Sequence, residues 1–250
     1  MNEILKIFPL PPETIEFPRK KNFWLMSSIL FKINNAICLL LGRKKTLKFL
    51  LNFNLVIWRL AYENSYKYYG KQFPNITYGV NEKLFLNFFP SRANVIDIGC
   101  GTGRLTLMAS NFANHVTGID YDPTAIKSAK LNNIAPNITY LCGDVNNLSS
   151  NSKYDVAIIV GVLEHLDSAH KYLINLHKIA SRLIIEVPDF EADPLNLIRF
   201  NLSSRLYTDN DHVREYLFNS LIEQLKITNW KVIYSSRQGL MITIVADQIL

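Results

Sequence analysis

Residues 95–103, Val-Ile-Asp-Ile-Gly-Cys-Gly-Thr-Gly, decide the fold of this chain. A short, mostly apolar run precedes three glycines at alternate positions, and a helix is predicted over 104–112. The apolar run is typical of a buried strand, and the glycines predict a loop where the backbone turns tightly and a ligand lies against the main chain. The N-terminus of the next helix would offer unpaired N–H groups to a carboxylate.

Strands and helices alternate on the C-terminal side of this loop. Strands are predicted at 115–119, 138–141, 155–160 and 182–187, and helices at 123–132, 169–180 and 212–227. This alternation indicates a doubly wound α/β domain, with a mostly parallel sheet and helices on both faces. The last two strands, 230–234 and 240–245, are joined by a link of hairpin length. One of them is therefore expected to run antiparallel at the edge of a seven-stranded sheet.

Residues 1–75 carry a different pattern, that of an N-terminal helical extension or lid ahead of a domain at 76–250. Apolar side chains recur at helical spacing over 29–41, and a second helix is predicted over 46–69. Residues 1–50 hold nine basic and three acidic residues, which accounts for the whole net charge of +6. A basic amphipathic stretch such as 29–48 suits contact with an anionic membrane surface or packing on its own domain, and the sequence leaves both open.

Cysteine usage and hydropathy favour the cytoplasm. The three cysteines are too few and too scattered for a disulfide framework or a zinc site, and they suit a reducing compartment. Prolines interrupt the first twelve residues, where a secretory signal would need an apolar run. No apolar stretch approaches the ~20 residues that span a bilayer. We therefore expect a cytoplasmic protein, with membrane association left open.

Acidic residues end the strands that follow the glycine loop. Asp120 stands 21 positions after Gly99, at the end of the second strand, where a carboxylate suits a bidentate grip on ribose hydroxyls. Asp144 follows the third strand, where it can accept a hydrogen bond from an adenine amino group. Arg104 stands where the dinucleotide fingerprint needs its third glycine, so the loop departs from that fingerprint.

Four segments in this order, VIDIGCGTG, GIDYDP, LCGDVNNL and YDVAIIVGVLEHLD, resemble the successive motifs of the class I S-adenosylmethionine-dependent methyltransferases. The resemblance covers about residues 70–250 and implies S-adenosylmethionine as the cofactor. It implies that Asp97 positions the amino end of the methionine part, which the glycine loop lines. The cofactor-binding residues that it implies are Asp97, Gly99, Cys100, Gly101, Thr102, Gly103, Asp120, Tyr121, Asp144, Val145, Val160 and Gly161.

The resemblance assigns a part of the cofactor to each of these residues. Asp120 would bind the ribose, and Tyr121 would pack against the adenine, whose edge Asp144 and Val145 would contact. The end of the fourth strand, at 160–161, would face the sulfonium and the acceptor. From the residues alone, Asp120 also suits a helix cap ahead of Pro123, and Tyr121 suits ordinary loop packing.

The acceptor side of the site is predicted just past the fourth strand. His165 is the candidate general base, because a neutral imidazole is available near pH 7. Together with Glu164 it also suits orientation of the next helix, or a divalent metal as in some quinone O-methyltransferases. No third ligand is evident, so no metal site is predicted. Polar residues His212 and Arg214 suggest a substrate-binding wall, although the same stretch is typical of a helix start with Asp211 as N-cap.

Three absences from the sequence narrow the acceptor. No Asn/Asp-Pro-Pro-aromatic tetrapeptide follows the fourth strand, no cysteine pair suggests covalent attack on a pyrimidine, and no basic stripe with interleaved aromatics runs through 76–250. Nucleic acid is therefore not an expected partner. We predict O-methylation of a small molecule or of a glycan or lipid-linked acceptor. The alternatives are a nicotinamide-dependent oxidoreductase and a catalytically inactive cofactor-binding module; NADH and S-adenosylhomocysteine binding would separate them.

Overall fold

The computed structural model describes residues 23–69, 80, 82–145, 153–203 and 211–249. The helices are α1 (Phe23–Leu41), α2 (Arg43–Tyr69), α3 (Glu82–Phe88), α4 (Arg104–Ser110), α5 (Pro123–Asn132), α6 (Ala169–Asn175), α7 (Pro194–Asn201) and α8 (Phe218–Ile227). The strands are β1 (Asn94–Ile98), β2 (His115–Asp120), β3 (Ile138–Cys142), β4 (Tyr154–Val160), β5 (Ala180–Pro188), β6 (Trp230–Gln238) and β7 (Met241–Gln248). Parts of the predicted extension, 1–22 and 70–75, lie outside the described residues.

The seven strands form one sheet in the order β3-β2-β1-β4-β5-β7-β6. The first five strands in this order are parallel, and β7 runs antiparallel to both β5 and β6. This confirms the predicted fold class. The expected place of the antiparallel strand was wrong, because β7 lies between β5 and β6 and β6 forms the edge. A hairpin link makes two strands antiparallel but does not decide which of them pairs with the rest of the sheet.

The central strands are buried on both faces. Ile158 and Ile159 are both fully buried, although neighbouring side chains on a strand point to opposite faces. One hydrophobic cluster contains Ile159 with residues of α6 and α8, and the other contains Ile158 with residues of α3 and α4. Helices therefore cover both faces, which explains why β4 is almost continuously apolar.

Two helix caps differ from the sequence predictions. The predicted helix at 212–227 begins only at Phe218, with Leu217 as its N-cap, so the interpretation of Asp211 as a cap was wrong. The cap of α5 is Asp122, whose carboxylate accepts from the N–H of Thr124 at 2.8 Å, so the capping alternative for Asp120 was also wrong.

The chain divides into two compact units. One lies within Met1–Ile76 and Leu195–Thr208, and its described elements are α1, α2 and most of α7. The other lies within Thr77–Pro194 and Asp209–Leu250 and contains the whole sheet. Residues 195–203, which the sequence assigned to the second domain, therefore group with the N-terminal helices.

Candidate active site

The predicted cofactor residues lie at the carboxyl ends of four neighbouring strands. In the register of the sheet, Ile98 pairs with Ile119 on one side and with Ile159 on the other, and Asp120 pairs with Cys142. The segments that follow β1, β2, β3 and β4 therefore begin at the same edge. Strand order reverses between β1 and β4, and the crevice at such a reversal is where open α/β sheets bind ligands.

The glycine loop leaves β1 with three left-handed residues. The φ values of Gly99, Gly101 and Gly103 are +71°, +53° and +84°. A residue with a Cβ adopts such a left-handed backbone conformation at a cost of about 1–2 kcal/mol. The space beside Gly101 is open, since a Cβ there would meet no atom within 4 Å. A Cβ at Gly103 would overlap the ring of Tyr140. Two of these glycines therefore differ: Gly103 is required by packing, whereas the space beside Gly101 is open.

This difference predicts that alanine at Gly101 mainly weakens ligand binding, whereas alanine at Gly103 mainly lowers stability. Gly101→Ala should cost about 1–2 kcal/mol of stability from backbone strain, but it should weaken S-adenosylhomocysteine binding at least tenfold because the methyl group enters the open space. Gly103→Ala should destabilise the domain by more, since Tyr140 must also move. Thermal unfolding and calorimetric titration measure the two effects. Equal affinity for Gly101→Ala and the wild type would mean that no ligand lies there.

The carboxylate of Asp120 ties the glycine loop to the end of β2. Its Oδ2 accepts from the N–H of Gly101 at 2.8 Å, and its Oδ1 accepts from the N–H of Asp122 at 2.9 Å. Each carboxylate oxygen can accept more than one hydrogen bond, so both remain able to receive ribose hydroxyls. Asp120 thus shapes the loop and presents a negative charge beside it.

Asp97 is buried beneath the loop, with 2% of its surface exposed. Its Oδ2 accepts from the hydroxyl of Thr106 on α4 at 2.6 Å. Burial raises the pKa of Asp97 to about 6, although the Thr106 hydrogen bond and the charge of Arg104 oppose the shift. A carboxylate that is costly to ionise in the empty protein would gain a partner from the ammonium group of a bound amino acid. The local chemistry therefore fits the methionine end of the cofactor.

The residues predicted at the adenine end differ in exposure. Tyr121 is 83% exposed and Asp144 is exposed, whereas Val145 is buried in the hydrophobic core. Tyr121 is therefore not packed as an ordinary loop residue would be. Its exposed ring can cover a flat ligand, and a contact of Asp144 with the adenine stays a prediction.

Cys100 and Thr102 contribute to the loop through packing and the backbone. Burial raises the pKa of the Cys100 thiol, which makes it a poor nucleophile. The side chain of Thr102 is exposed, and its carbonyl accepts from the side-chain amide of Asn133 at 2.8 Å. Both positions support the shape of the loop, and a contact of either with the cofactor stays a prediction.

The turn after β4 brings the acceptor side against the glycine loop. Val160 ends the strand, and Gly161 turns the chain with φ +65°. The next residue, Val162, packs against Gly99, because a Cβ added there would lie 2.5 Å from a methyl carbon of Val162. The 3-10 turn Leu163–His165 follows directly. The candidate base therefore stands three residues from a side chain that touches the loop.

Glu164 is buried in this turn, with 3% of its surface exposed. Burial raises the pKa of its carboxyl group, and the charges of His165 and His212 oppose the shift. One of its oxygens, Oε2, is buried without a hydrogen-bond partner among the described residues. Such an atom is costly to bury, which marks this position as a candidate for ligand or proton binding.

His212 lies beside His165, although 47 positions separate the two in the sequence. Their rings stand edge to face with centroids 4.8 Å apart, and Nδ1 of His212 lies 3.4 Å from a carboxylate oxygen of Glu215. The extended segment that carries His212 is held by the carbonyl of Glu164, which accepts from the N–H of Val213 at 2.9 Å. The structure thereby forms a line of polar groups, Glu215 to His212 to His165, that the sequence did not predict.

Ligand atoms of Glu164, His165 and His212 all lie within 4.8 Å of one another. The sequence offered no third ligand for a metal beside the first two, and His212 provides one. Two atoms bound to one ion at about 2.1 Å can stand no more than about 4.2 Å apart. Ligand atoms that lie up to 4.8 Å apart must therefore move closer together before all three bind one ion. As they stand, the same three groups also form a cluster suited to proton transfer.

Arg214 binds backbone carbonyls, whereas His212 contacts the ring of His165. Its Nη2 donates to the carbonyls of Leu166 and Asp167 at 2.7 and 2.8 Å. The guanidinium thus fastens the extended segment to the turn after β4. A direct contact of Arg214 with substrate stays a prediction.

Sequence reasoning missed Thr106, Tyr140 and Glu215. Thr106 and Tyr140 act on residues that lie across a loop or are distant along the chain: Thr106 on Asp97 and Tyr140 on Gly103. Their own sequence neighbourhoods are those of an ordinary helix and strand, so no local pattern could have identified Thr106 or Tyr140. For Glu215, its spacing of three from His212 was a usable signal.

Comparisons with known proteins agree with this geometry. Residues 95–181 match the family described as a methyltransferase domain. The chain is 28% identical over 116 residues to a malonyl-[acyl-carrier protein] O-methyltransferase from Priestia megaterium, covering 46% of this chain and 42% of that protein. It is 33% identical over 92 residues to a ubiquinone biosynthesis O-methyltransferase from Rickettsia akari, covering 35% and 36%. The chain thus spans less than half the length of these two relatives.

The fold is also that of solved methyltransferases. Magnesium protoporphyrin IX methyltransferase from Synechocystis, crystallised with bound SAH, superposes with a TM-score of 0.53 at 18% identity over 66% of this chain and 78% of that one. At this identity the likeness concerns the fold alone.

Proposed function

We propose that this chain, whose residues 95–181 match a methyltransferase domain, is a class I S-adenosylmethionine-dependent methyltransferase that transfers a methyl group to an oxygen atom of a small-molecule, glycan or lipid-linked acceptor. The observation that carries the proposal is the packing of Val162 against Gly99, which joins the turn bearing His165 to the glycine loop. The names of the two relatives above, both O-methyltransferases, support the choice of oxygen.

The glycine loop and the two aspartates are the binding part of this proposal. Asp97 pairs with the cofactor's ammonium group, and Asp120 holds its ribose. S-adenosylmethionine supplies an electrophilic methyl group on a sulfonium, and transfer leaves the bonding electron pair on a neutral sulfur. The exposed backbone beside Gly101 lets the ligand lie close to the main chain. These residues act mainly by alignment, which is the larger part of catalysis for an in-line displacement.

In this proposal His165 is the general base. As the acceptor oxygen bonds to the methyl carbon, its proton passes to the His165 ring. His212 stands against that ring and is itself beside Glu215, so the pair limits the rotation of His165. The acceptor is expected to be an alcohol or phenol, whose proton needs a base, rather than an ionised carboxylate.

Binding of the cofactor is tested first, because it does not require the acceptor. We expect calorimetric titration with S-adenosylhomocysteine to give micromolar affinity. Asp120→Ala should lower that affinity about tenfold or more, since hydrogen bonds to a charged group contribute about 1.5–3 kcal/mol. Asp155→Ala is the matched control, an exposed aspartate at the other end of β4. A folded wild-type protein that binds NADH but not S-adenosylhomocysteine would contradict the proposal.

A metal-dependent mechanism is the second candidate, favoured by the unpaired oxygen of Glu164 beside two imidazoles. Glu164, His165 and His212 would be the ligands, and the ion would lower the pKa of a bound acceptor hydroxyl. The two candidates differ in their dependence on added metal.

A further inference from the structure

The N-terminal unit exposes most of its apolar surface. Between residues 29 and 60, sixteen large apolar side chains of α1 and α2 are exposed. Leu39 and Leu40 are 88% and 83% exposed, and Phe31 and Phe49 are more than 60% exposed. Scattered apolar residues are normal on a soluble surface, but a concentration of this size marks an interaction site.

The interior of the same unit is largely polar. Among its described residues, three are buried: Thr46, Leu51 and Arg199. The guanidinium of Arg199 on α7 donates to the side chains of Asn54 and Asn196, both at 2.7 Å. This unit exposes apolar side chains and buries polar ones, which is the reverse of the usual arrangement in water. It is the arrangement expected when the surroundings are themselves apolar.

The net charge of this unit indicates which apolar environment it suits. Residues 23–62 contain six basic and no acidic side chains, so this segment carries a net charge equal to that of the whole chain, +6. Four of the six, Arg43, Lys44, Lys45 and Lys48, cluster at the bend between α1 and α2. A second copy of the chain would bring like charges together, which opposes self-association through this surface. An anionic surface with an apolar interior complements both features.

A cleft at the bend combines the two chemistries. It has a volume of about 530 Å³ and is lined by Asn34, Asn35, Arg43 and Thr46 together with Leu39 and Leu47. An arginine among amide and hydroxyl groups suits a phosphate, and the leucines suit the first carbons of an acyl chain. The lining therefore matches a phospholipid headgroup with the beginning of its tail.

We propose that the α1–α2 unit docks this protein on anionic phospholipid bilayers, with one lipid phosphate bound by Arg43 in the cleft. None of the helices in the described part of the chain is long and apolar enough to cross a membrane. In the proposed docking α1 and α2 lie in the interface, where apolar side chains enter the headgroup boundary and cations contact anionic lipids. The proposal goes beyond methyl transfer and does not depend on it.

Vesicle flotation of the full chain tests the docking. We expect binding to vesicles of phosphatidylcholine with about one quarter phosphatidylglycerol, weak binding to pure phosphatidylcholine, and less binding in about 0.5 M salt, because salt screens the charges. The double variant Leu39→Asp/Leu40→Asp should lose binding at least tenfold. Leu131→Asp/Ile227→Asp, which changes two exposed apolar residues of the other unit, should bind like the wild type.

The cleft is tested by a pair of charge variants. Arg43→Gln should weaken vesicle binding more than tenfold, which exceeds the roughly fivefold expected for one cation near an anionic surface. Arg59→Gln removes the same charge from α2, but Arg59 is already paired with Glu63 at 3.0 Å, so it should change binding less than fivefold. Equal losses for the two variants would overturn the assignment of the cleft.

Two results would overturn the docking itself. One is a wild-type protein that does not float with anionic vesicles at low salt. The other is a dimer, measured by light scattering without lipid, that Leu39→Asp/Leu40→Asp dissociates, which would assign the surface to a second copy. Unchanged S-adenosylhomocysteine affinity and thermal unfolding in the variants show that they are folded. Failure of this proposal is therefore distinguishable from failure of the proposed function.

Discussion

His165→Ala is expected to lower kcat with a phenolic acceptor by a factor of about 10² to 10⁴, the range that a positioned general base contributes. Its affinity for S-adenosylhomocysteine should stay within about twofold of the wild type, because the imidazole acts on the acceptor. Rates are measured with radiolabelled S-adenosylmethionine and a panel of catechols that carry apolar substituents. His170→Ala, an exposed histidine on α6, is the matched control and should retain activity.

The acceptor itself provides a stricter test of the base. A phenol has a pKa near 10 and must lose its proton as the methyl group arrives, whereas a carboxylate is already ionised. The loss caused by His165→Ala should therefore be large for phenols and small for carboxylates. Equal losses for both classes would contradict a base role and indicate that the imidazole positions the substrate.

The metal-dependent candidate predicts a different set of results. If Glu164, His165 and His212 hold an ion, chelation should abolish activity and added divalent metal should restore it. Glu164→Gln should then be as damaging as His165→Ala, because it removes an anionic ligand. If His165 acts alone as a base, chelation should have no effect, and Glu164→Gln should be mild because it replaces a buried charge with a neutral group of equal size.

The part of the site that follows from strand ends could be predicted from the sequence. Glycines at 99, 101 and 103 and an aspartate at 120 mark where two buried strands stop, and parallel strands bring such ends to one edge. Strand boundaries depend on local apolar patterns, which the sequence shows directly. The structure places the predicted cofactor residues on that edge.

The acceptor side could not be predicted in the same way. Residues 211–216 contain the local signals of a helix start, yet the N–H of Val213 donates to the carbonyl of Glu164 and the segment stays extended. A tertiary hydrogen bond here overrides local propensity, as it often does. The approach of His212 to His165 depends on that extended path, so no spacing within the sequence indicates it.

Asp97→Asn is expected to move stability and binding in opposite directions. Asp97 has its pKa raised from 3.8 to about 6 by burial, so the folded state holds this proton more tightly than the unfolded state. Below about pH 4 the group is protonated in both states and costs nothing. As pH rises from about 4 to 6 the unfolded state loses the proton first, and folding stability falls by up to about 3 kcal/mol.

Asparagine removes that cost. Above pH 6 the free energy of unfolding of the variant should therefore exceed that of the wild type by about 1–3 kcal/mol, and below pH 4 the two values should be equal. The same change should weaken S-adenosylhomocysteine binding about tenfold to a hundredfold, because the ligand's ammonium loses its charged partner. Wild-type affinity should likewise fall as pH drops below about 6. Asp155→Asn, the same substitution at an exposed carboxylate, should alter neither property. A variant that bound as tightly as the wild type would show that the cofactor's amino group lies elsewhere, while unchanged stability would show that folding does not raise the pKa of Asp97.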